Sequence, residues 1–197
     1  MSPTRSRQGE LRHAEIIAIA RELLVEGGLD GFAMRTIATR VGMRLGNLQY
    51  YFPTRDHVLE AVFRAEFAND LAALRATADE ADLGRLAGQL IGSWSSDSGA
   101  VFLALASLAF HDRRYRTLNR EIYAAFHVEI CRIIRRIAPV AATADIANRA
   151  FLMTALLDGA ALQLHATPDA SRPDPRLELI TQQLEAIATG ECERGGR

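Results

Sequence analysis

The chain has 197 residues, 49% hydrophobic and 24% charged, with a formal net charge of −1. That suits one globular domain or two small ones with a real core. The longest clean apolar run, Ala100 to Phe110 broken only by Ser107, is too short to cross a bilayer, and a pI near 6.5 lacks the basic footprint usual for nucleic-acid-binding domains.

The first fifteen residues, MSPTRSRQGELRHAE, have no apolar h-region and do not read as a signal peptide; residues 1–9 read as a flexible polar arm. Cys131 and Cys192 form neither a metal-spaced pattern nor a disulfide framework. A cytoplasmic chain with free thiols is therefore expected, and the pattern leaves the role of both cysteines open. All 23 basic residues other than histidine are arginine, so for function only the placement of the arginines counts.

Helical spacing recurs along the whole chain. His13 to Glu26 carries Ile16, Ile17, Ala20, Leu23 and Leu24 on one stripe, stopped by Gly27-Gly28. Short helices fit Met34 to Val41 and Leu45 to Phe52, separated by Gly42. Pro53 ends the second, because proline disfavours helical geometry in the residue before it. Thr54 is the expected N-cap of a long helix with Asp56 in its first turn. Val58, Leu59, Val62, Phe63, Phe67, Leu71 and Leu74 form its apolar side. Further helices are predicted near 82–95, 98–110, 113–137, 143–166 and 175–189, with a proline-rich connector, TPDASRPDP, before the last. The fold class is all-α, with about nine helices.

The segment 34–53 has the pattern of a helix-turn-helix, in which the second helix is presented to a DNA major groove. Ile37, Val41, Leu48 and Phe52 point to a shared core, Ala38 allows close approach, and Gly42 sits where the chain must reverse. The opposite face of the second helix carries Gly46, Asn47 and Tyr50, flanked by Gln49 and Tyr51, with Arg44 at its start. A merely solvated face would carry Glu, Lys and Ala. Asn and Gln can bond adenine, Arg can bond guanine, and Tyr can reach phosphate.

Residues 10 to about 70, and in particular AEIIAIARELLVEGGLDGFAMRTIATRVGMRLGNLQYYFPTRDHVLEAVF, resemble the DNA-binding domain of TetR-family transcriptional regulators. The resemblance implies a DNA-reading surface of Arg35, Arg44, Leu45, Gly46, Asn47, Gln49, Tyr50, Tyr51 and Arg55. Arg35 stands where the family often has a base- or phosphate-contacting arginine. Asn47 replaces a more usual threonine. Gln49 replaces a usual tyrosine, and either reads a base or bonds the backbone. Tyr50 is the stronger candidate of the tyrosine pair for the groove; Tyr51 faces either the groove or the core. Arg55 matches a phosphate-holding lysine. Ala33 stands where the family usually has a capping Thr or Ser, so that contact is expected to be missing.

The resemblance weakens after residue 70. It implies that residues 71–197 form a helical ligand-binding and dimerisation domain. The helices near 143–166 and 175–189 would form a four-helix bundle with their copies across a two-fold axis; the alternative is that both are internal core. Leu177, Ile180, Leu184 and Ile187 supply the stripe on the second. A dimer of this kind would place its recognition helices about 34 Å apart on a near-palindromic double-stranded operator.

Candidate effector-pocket residues are Trp94, Phe102, Tyr123, Phe126, His127 and Asp158, with Phe110, Phe151 and Gln163 as further candidates. Asp158 alternatively faces Arg149 or Arg132. A small-molecule effector would act by population shift, binding the DNA-incompetent dimer more tightly; a full switch needs about 5.5 kcal/mol of differential binding. The long helix from Thr54 is the expected bistable element. No G-x-S-x-G, HExxH, P-loop or dinucleotide fingerprint is present. The histidines 13, 57, 111, 127 and 165 have no metal spacing. Neither an enzyme nor a cofactor is expected. The family's prevailing role is repression; activation, or action through protein partners, is the alternative.

Overall fold

The computed structural model describes residues 7–78, 82–94, 96–165 and 175–191. Residues 1–6 of the expected arm, most of the proline-rich connector and Cys192 lie outside them. The described residues form α1 (Arg7–Gly31), α2 (Met34–Arg40), α3 (Leu45–Tyr51), α4 (Arg55–Ala78), α5 (Leu83–Trp94), α6 (Asp97–His111), α7 (Arg113–Ile137), α8 (Thr143–His165) and α9 (Pro175–Thr189). The fold is all-α. Among the described residues no helix is long and apolar enough to cross a membrane.

The chain divides into two compact units, Met1–Phe67 with Ala100–Leu118, and Ala68–Gly99 with Asn119–Arg197. The return of Ala100–Leu118 to the first unit departs from the simple two-segment division expected from sequence. Helix α1 also starts within the expected arm, at Arg7, with Glu10 in its first turn complementing the helix dipole.

In the first unit α1 buries Ile16, Ala20, Leu23 and Leu24 at helical spacing. Gly28, at φ +59°, kinks its end. Phe32, Ile37, Leu48, Leu59 and Phe63 are at most 1% exposed and complete the centre of this core. Thr54 caps α4 as expected: its hydroxyl accepts the His57 N–H at 3.4 Å. Ala33, at the start of α2, makes no side-chain cap.

Two partly buried polar ties brace this unit. Arg21 on α1 donates twice to Glu66 on α4, at 2.6 and 3.0 Å, and the Glu66 side chain is only 8% exposed. Tyr115, at the start of α7, donates to Asp56 at 2.8 Å while its ring meets Phe63 edge-on. Beside it Arg114 reaches Glu60 at 2.9 Å. Burial pushes the Glu60 carboxyl up, but hydrogen bonds from Arg114 and Arg64 outweigh this and hold it below the ordinary value.

In the second unit α5, α8 and α9 pack on one another. Their buried residues include Leu86, Leu90, Met153, Leu157 and Leu184. Trp94 is buried and donates its indole N–H to Asp70 at 2.7 Å. Arg75 pairs with the buried Glu129 at 2.7 Å. Arg149, also buried, pairs with Asp145 at 2.5 Å and donates to the Ala188 carbonyl at 3.1 Å, where the end of α9 favours a cation. Of the stripe expected on α9, Leu184 is buried within its own chain and Leu177, Ile180 and Ile187 are half-buried, whereas Leu179 is 56% exposed.

The Arg21–Glu66 pair yields a test of stability. Arg21→Ala would leave a buried carboxylate without its guanidinium and is expected to cost about 3 kcal/mol. Urea denaturation followed by circular dichroism reads that loss as a lower midpoint.

Candidate DNA-binding surface and effector cavity

The helix-turn-helix is built as its residue pattern demands. Gly42 takes φ +70° at the reversal, a conformation that costs a residue with a Cβ about 1–2 kcal/mol. The Met43 N–H bonds the Ala38 carbonyl at 2.9 Å and closes the turn. Ile37, Ala38, Val41, Leu48 and Phe52 are all buried. His13 of α1 stacks on Phe52 with ring centroids 4.6 Å apart, backing α3 from behind.

With Leu48 at 0% exposure, the opposite side of α3 is forced outward. Arg44, Gly46, Asn47 and Gln49 are exposed, and Tyr50 is 85% exposed. An added Cβ on Gly46 would meet no atom within 4 Å. Packing within the protein therefore does not require glycine there, whereas close approach of another molecule's backbone would. Leu45 is half-buried. Tyr51 is half-buried too, its ring edge-on to Tyr50 at 5.5 Å. Arg35 is exposed on α2 and makes no ion pair among the described residues.

Two clefts flank this face. One, of about 570 Å³, is lined by Arg12, Gly42, Met43, Arg44, Asn47, Tyr50 and Tyr51. The other, of about 530 Å³, runs from Tyr51 to Gln8, Leu11, Arg12 and Glu15. Arg12 is a contributor that sequence reasoning missed. It donates to Glu15 at 2.6 Å and to the Val41 carbonyl at 3.4 Å, tying α1 to the turn of the motif. Nothing in its local sequence marks it, because its position depends on how α1 crosses the motif.

Arg55 is placed differently from the expectation. Its Nε donates to the Phe32 carbonyl and its Nη2 to the Leu29 carbonyl, both at 2.7 Å, with the guanidinium 5.7 Å from the centre of the Phe32 ring. It thus caps the end of α1, where a cation complements exposed carbonyls. These two bonds use two of its five N–H donors, so Nη1 and the second Nη2 hydrogen are what the side chain could still offer a phosphate.

In the second unit a cavity of about 360 Å³ is lined by Tyr123 and His127 from α7 and by Phe151, Thr154, Ala155 and Asp158 from α8. Its volume is in the range of small-molecule sites. Tyr123 donates its hydroxyl to Asp158 at 2.7 Å. Burial raises the Tyr123 pKa, and the Asp158 charge and hydrogen bond raise it further, so the phenol stays protonated. Burial also pushes the Asp158 carboxyl up, and the Tyr123 bond pulls partly against it.

Of the expected pocket residues, Tyr123, His127, Asp158 and Phe151 meet here. Trp94 and Phe126 are instead buried against each other, centroids 5.9 Å apart. Phe102 lies in the first unit, half-buried, and Phe110 is exposed at the end of α6. Gln163 is exposed and outside the cavity lining. The expected arginine partner of Asp158 is replaced by Tyr123, since Arg149 pairs with Asp145 and Arg132 with Glu129. Among the described residues no group of three or more His, Cys, Asp or Glu is placed to hold a metal. Cys131 is buried, and burial raises its thiol pKa, which makes it a poor nucleophile.

Residues 16–62 match the family profile described as bacterial regulatory proteins, tetR family. Residues 95–189 match that of the BetI-type transcriptional repressor, C-terminal. The HTH-type transcriptional regulator BetI of Burkholderia mallei (strain NCTC 10229) is 27% identical over 158 residues, spanning 76% of this chain and 80% of that one. A transcriptional regulator of Pseudomonas aeruginosa PAO1 has the same fold, with a TM-score of 0.78 and 20% identity over 94% of this chain and 92% of its own. A regulator of Saccharomonospora viridis, solved with choline, gives 0.69 and 20% over 90% and 95%. The multidrug binding protein EbrR, solved with malachite green, gives 0.66 and 22% over 89% and 97%. With both profiles matched in order along one all-α chain, this protein belongs to the TetR family of DNA-binding transcriptional regulators and is not an enzyme.

Proposed function

We propose that the protein is a homodimeric repressor that reads a near-palindromic operator through α3 and leaves it when a small organic cation occupies the Tyr123–Asp158 cavity. The observation that carries the reading is the outward face of α3. Arg44, Asn47, Gln49 and Tyr50 stand exposed around Gly46, over a fully buried Leu48. Amide, guanidinium and phenol groups at one face can bond base edges and phosphates together. Two copies joined through α8 and α9 would present two such faces to successive turns of one groove. Such a protein works in the cytoplasm, where its DNA lies.

The cation is supported by the chemistry of the cavity wall. Asp158 supplies a carboxylate, and the Tyr123 and Phe151 rings supply π-faces that attract cations. A bound cation would favour the ionised form of Asp158, against the burial that raises its pKa. The two fold relatives solved with choline and malachite green carry ligands of this class. Release from DNA then follows if the ligand prefers the DNA-incompetent state; equal affinity for both states would shift nothing.

Selection of random duplex DNA by the purified chain should enrich a near-palindrome that an Asn47→Ala, Tyr50→Ala variant fails to select. Absence of any enrichment at low salt would remove DNA reading from the account. Gly46→Ala should leave the folded state as stable as before, since its methyl meets no neighbour and alanine favours helix. The same variant should bind the selected duplex at least tenfold more weakly, as read by fluorescence anisotropy. On that duplex, malachite green or choline should displace the wild-type chain but not Asp158→Asn, which keeps the shape of the cavity wall and loses its charge.

A further inference from the structure

We propose that Arg12 joins Arg44 in gripping a DNA phosphate beside α3, and that Glu15 restrains Arg12 until DNA arrives. The contact lies outside the helix-turn-helix and rests on the DNA-reading role proposed above for α3.

The two clefts beside α3 differ in charge. The first brings together the Arg12 and Arg44 guanidiniums, the Asn47 amide and the Tyr50 and Tyr51 phenols, and no carboxylate lines it. Each of those groups can donate a hydrogen bond. The second cleft contains Glu15. Arg12 and Tyr51 line both, so Arg12 stands between an acidic cleft and an acid-free one. Two cations among neutral donors, with no anion present, are surroundings that suit a phosphate.

The place of that cleft says which phosphate. Arg44, Asn47 and Tyr50 line it and are also on the outward face of α3. The major groove is about 12 Å wide and a helix with its side chains about 10–12 Å across, so a seated helix has a phosphate backbone along each edge. Whatever flanks α3 meets those backbones. On the α1 side the flanking cation is Arg12.

The two arginines start from different states. Arg44 is exposed and makes no ion pair among the described residues. Arg12 donates from Nη1 to Glu15 at 2.6 Å and from Nη2 to the Val41 carbonyl at 3.4 Å. Its ion pair lies within one helix, the two side chains being 34% and 47% exposed. Water screens such a pair, so it holds weakly. A phosphate can therefore take Arg12 over, but it must displace a carboxylate to do so. Glu15 acts as an internal competitor that lowers affinity for every duplex, whatever its sequence.

Salt titrations by fluorescence anisotropy on a random-sequence duplex test this, because phosphate contacts carry no sequence information. Arg12→Gln keeps an N–H donor for the Val41 carbonyl and loses the charge. It should weaken binding about fivefold at low salt and reduce the slope of log affinity against log salt by up to about 0.9. Loss of a merely structural tie would leave that slope unchanged. Glu15→Gln should tighten binding about threefold at low salt. Glu10→Gln, which takes the same charge from an exposed position on the same helix, should tighten it less. In the Arg12→Gln background Glu15→Gln should do no more than Glu10→Gln. Circular dichroism establishes that each variant is folded, and Glu15→Gln, at an exposed position, decides the matter even if Arg12→Gln unfolds. An unchanged salt slope in folded Arg12→Gln, or a Glu15→Gln chain that binds no tighter than Glu10→Gln, would overturn the clamp while DNA binding itself stands. A native chain that binds no duplex at any salt concentration would overturn the DNA-reading role of α3 as well.

Discussion

Burial of Leu48 and Phe52 beneath α3 is the constraint from which the chemistry of its outward face, proposed above to meet DNA, follows. Both are at most 4% exposed, and four residues apart they fix the rotation of a helix too short to hold itself. A helix of seven residues has little intrinsic stability, so its orientation is a tertiary property. Once Leu48 is inward, Asn47 and Tyr50 have no other direction to face. His13 behind Phe52, the Gly42 turn and the Arg12 bond to Val41 then hold the motif against α1.

The ties of the first unit differ in weight. Arg40–Glu26 is exposed at both ends, where solvent screening leaves such a pair little net effect. Arg21–Glu66 has one end buried, so losing either partner leaves a charge or donor poorly solvated. Tyr115 and Arg114 hold the first turns of α4, immediately after α3, from the start of α7. Helix α7 continues unbroken to Tyr123 and His127, which line the cavity. A net charge of −1 is compatible with DNA binding because many arginines are neutralised locally, among them Arg21, Arg40, Arg64, Arg75 and Arg114. Exposed Arg35 and Arg44 leave a local positive field at the motif, and local rather than net charge steers a polyanion.

Much of this was legible in the sequence. Glycine and proline mark helix ends chemically, so the helices near 113–137 and 175–189 fall where the spacing puts them. The outward face of α3 followed from the four-residue step between Leu48 and Phe52. What spacing does not encode is which partner a side chain meets across the fold. Arg55 reads as a phosphate ligand by position but reaches back 23 and 26 residues to carbonyl groups. Trp94 and Phe126 read as pocket aromatics but close a buried contact in which Asp70 receives the indole N–H. Asp158 invited an arginine and found Tyr123, 35 residues away. Arg12 and Thr154 carry no local signal at all.

The central claim, that α3 reads bases with its outward face, is tested most directly on the selected operator and its single-base-pair variants. Affinities of the native chain, Gln49→Ala, Tyr50→Ala and Arg44→Ala are compared at several salt concentrations. The account predicts that Gln49→Ala or Tyr50→Ala abolishes discrimination at particular base pairs in each half-site, a loss of about 1–3 kcal/mol there. Arg44→Ala should weaken every duplex and flatten the salt dependence. Uniform weakening by all three variants, with the ranking of base-pair variants unchanged, would contradict it.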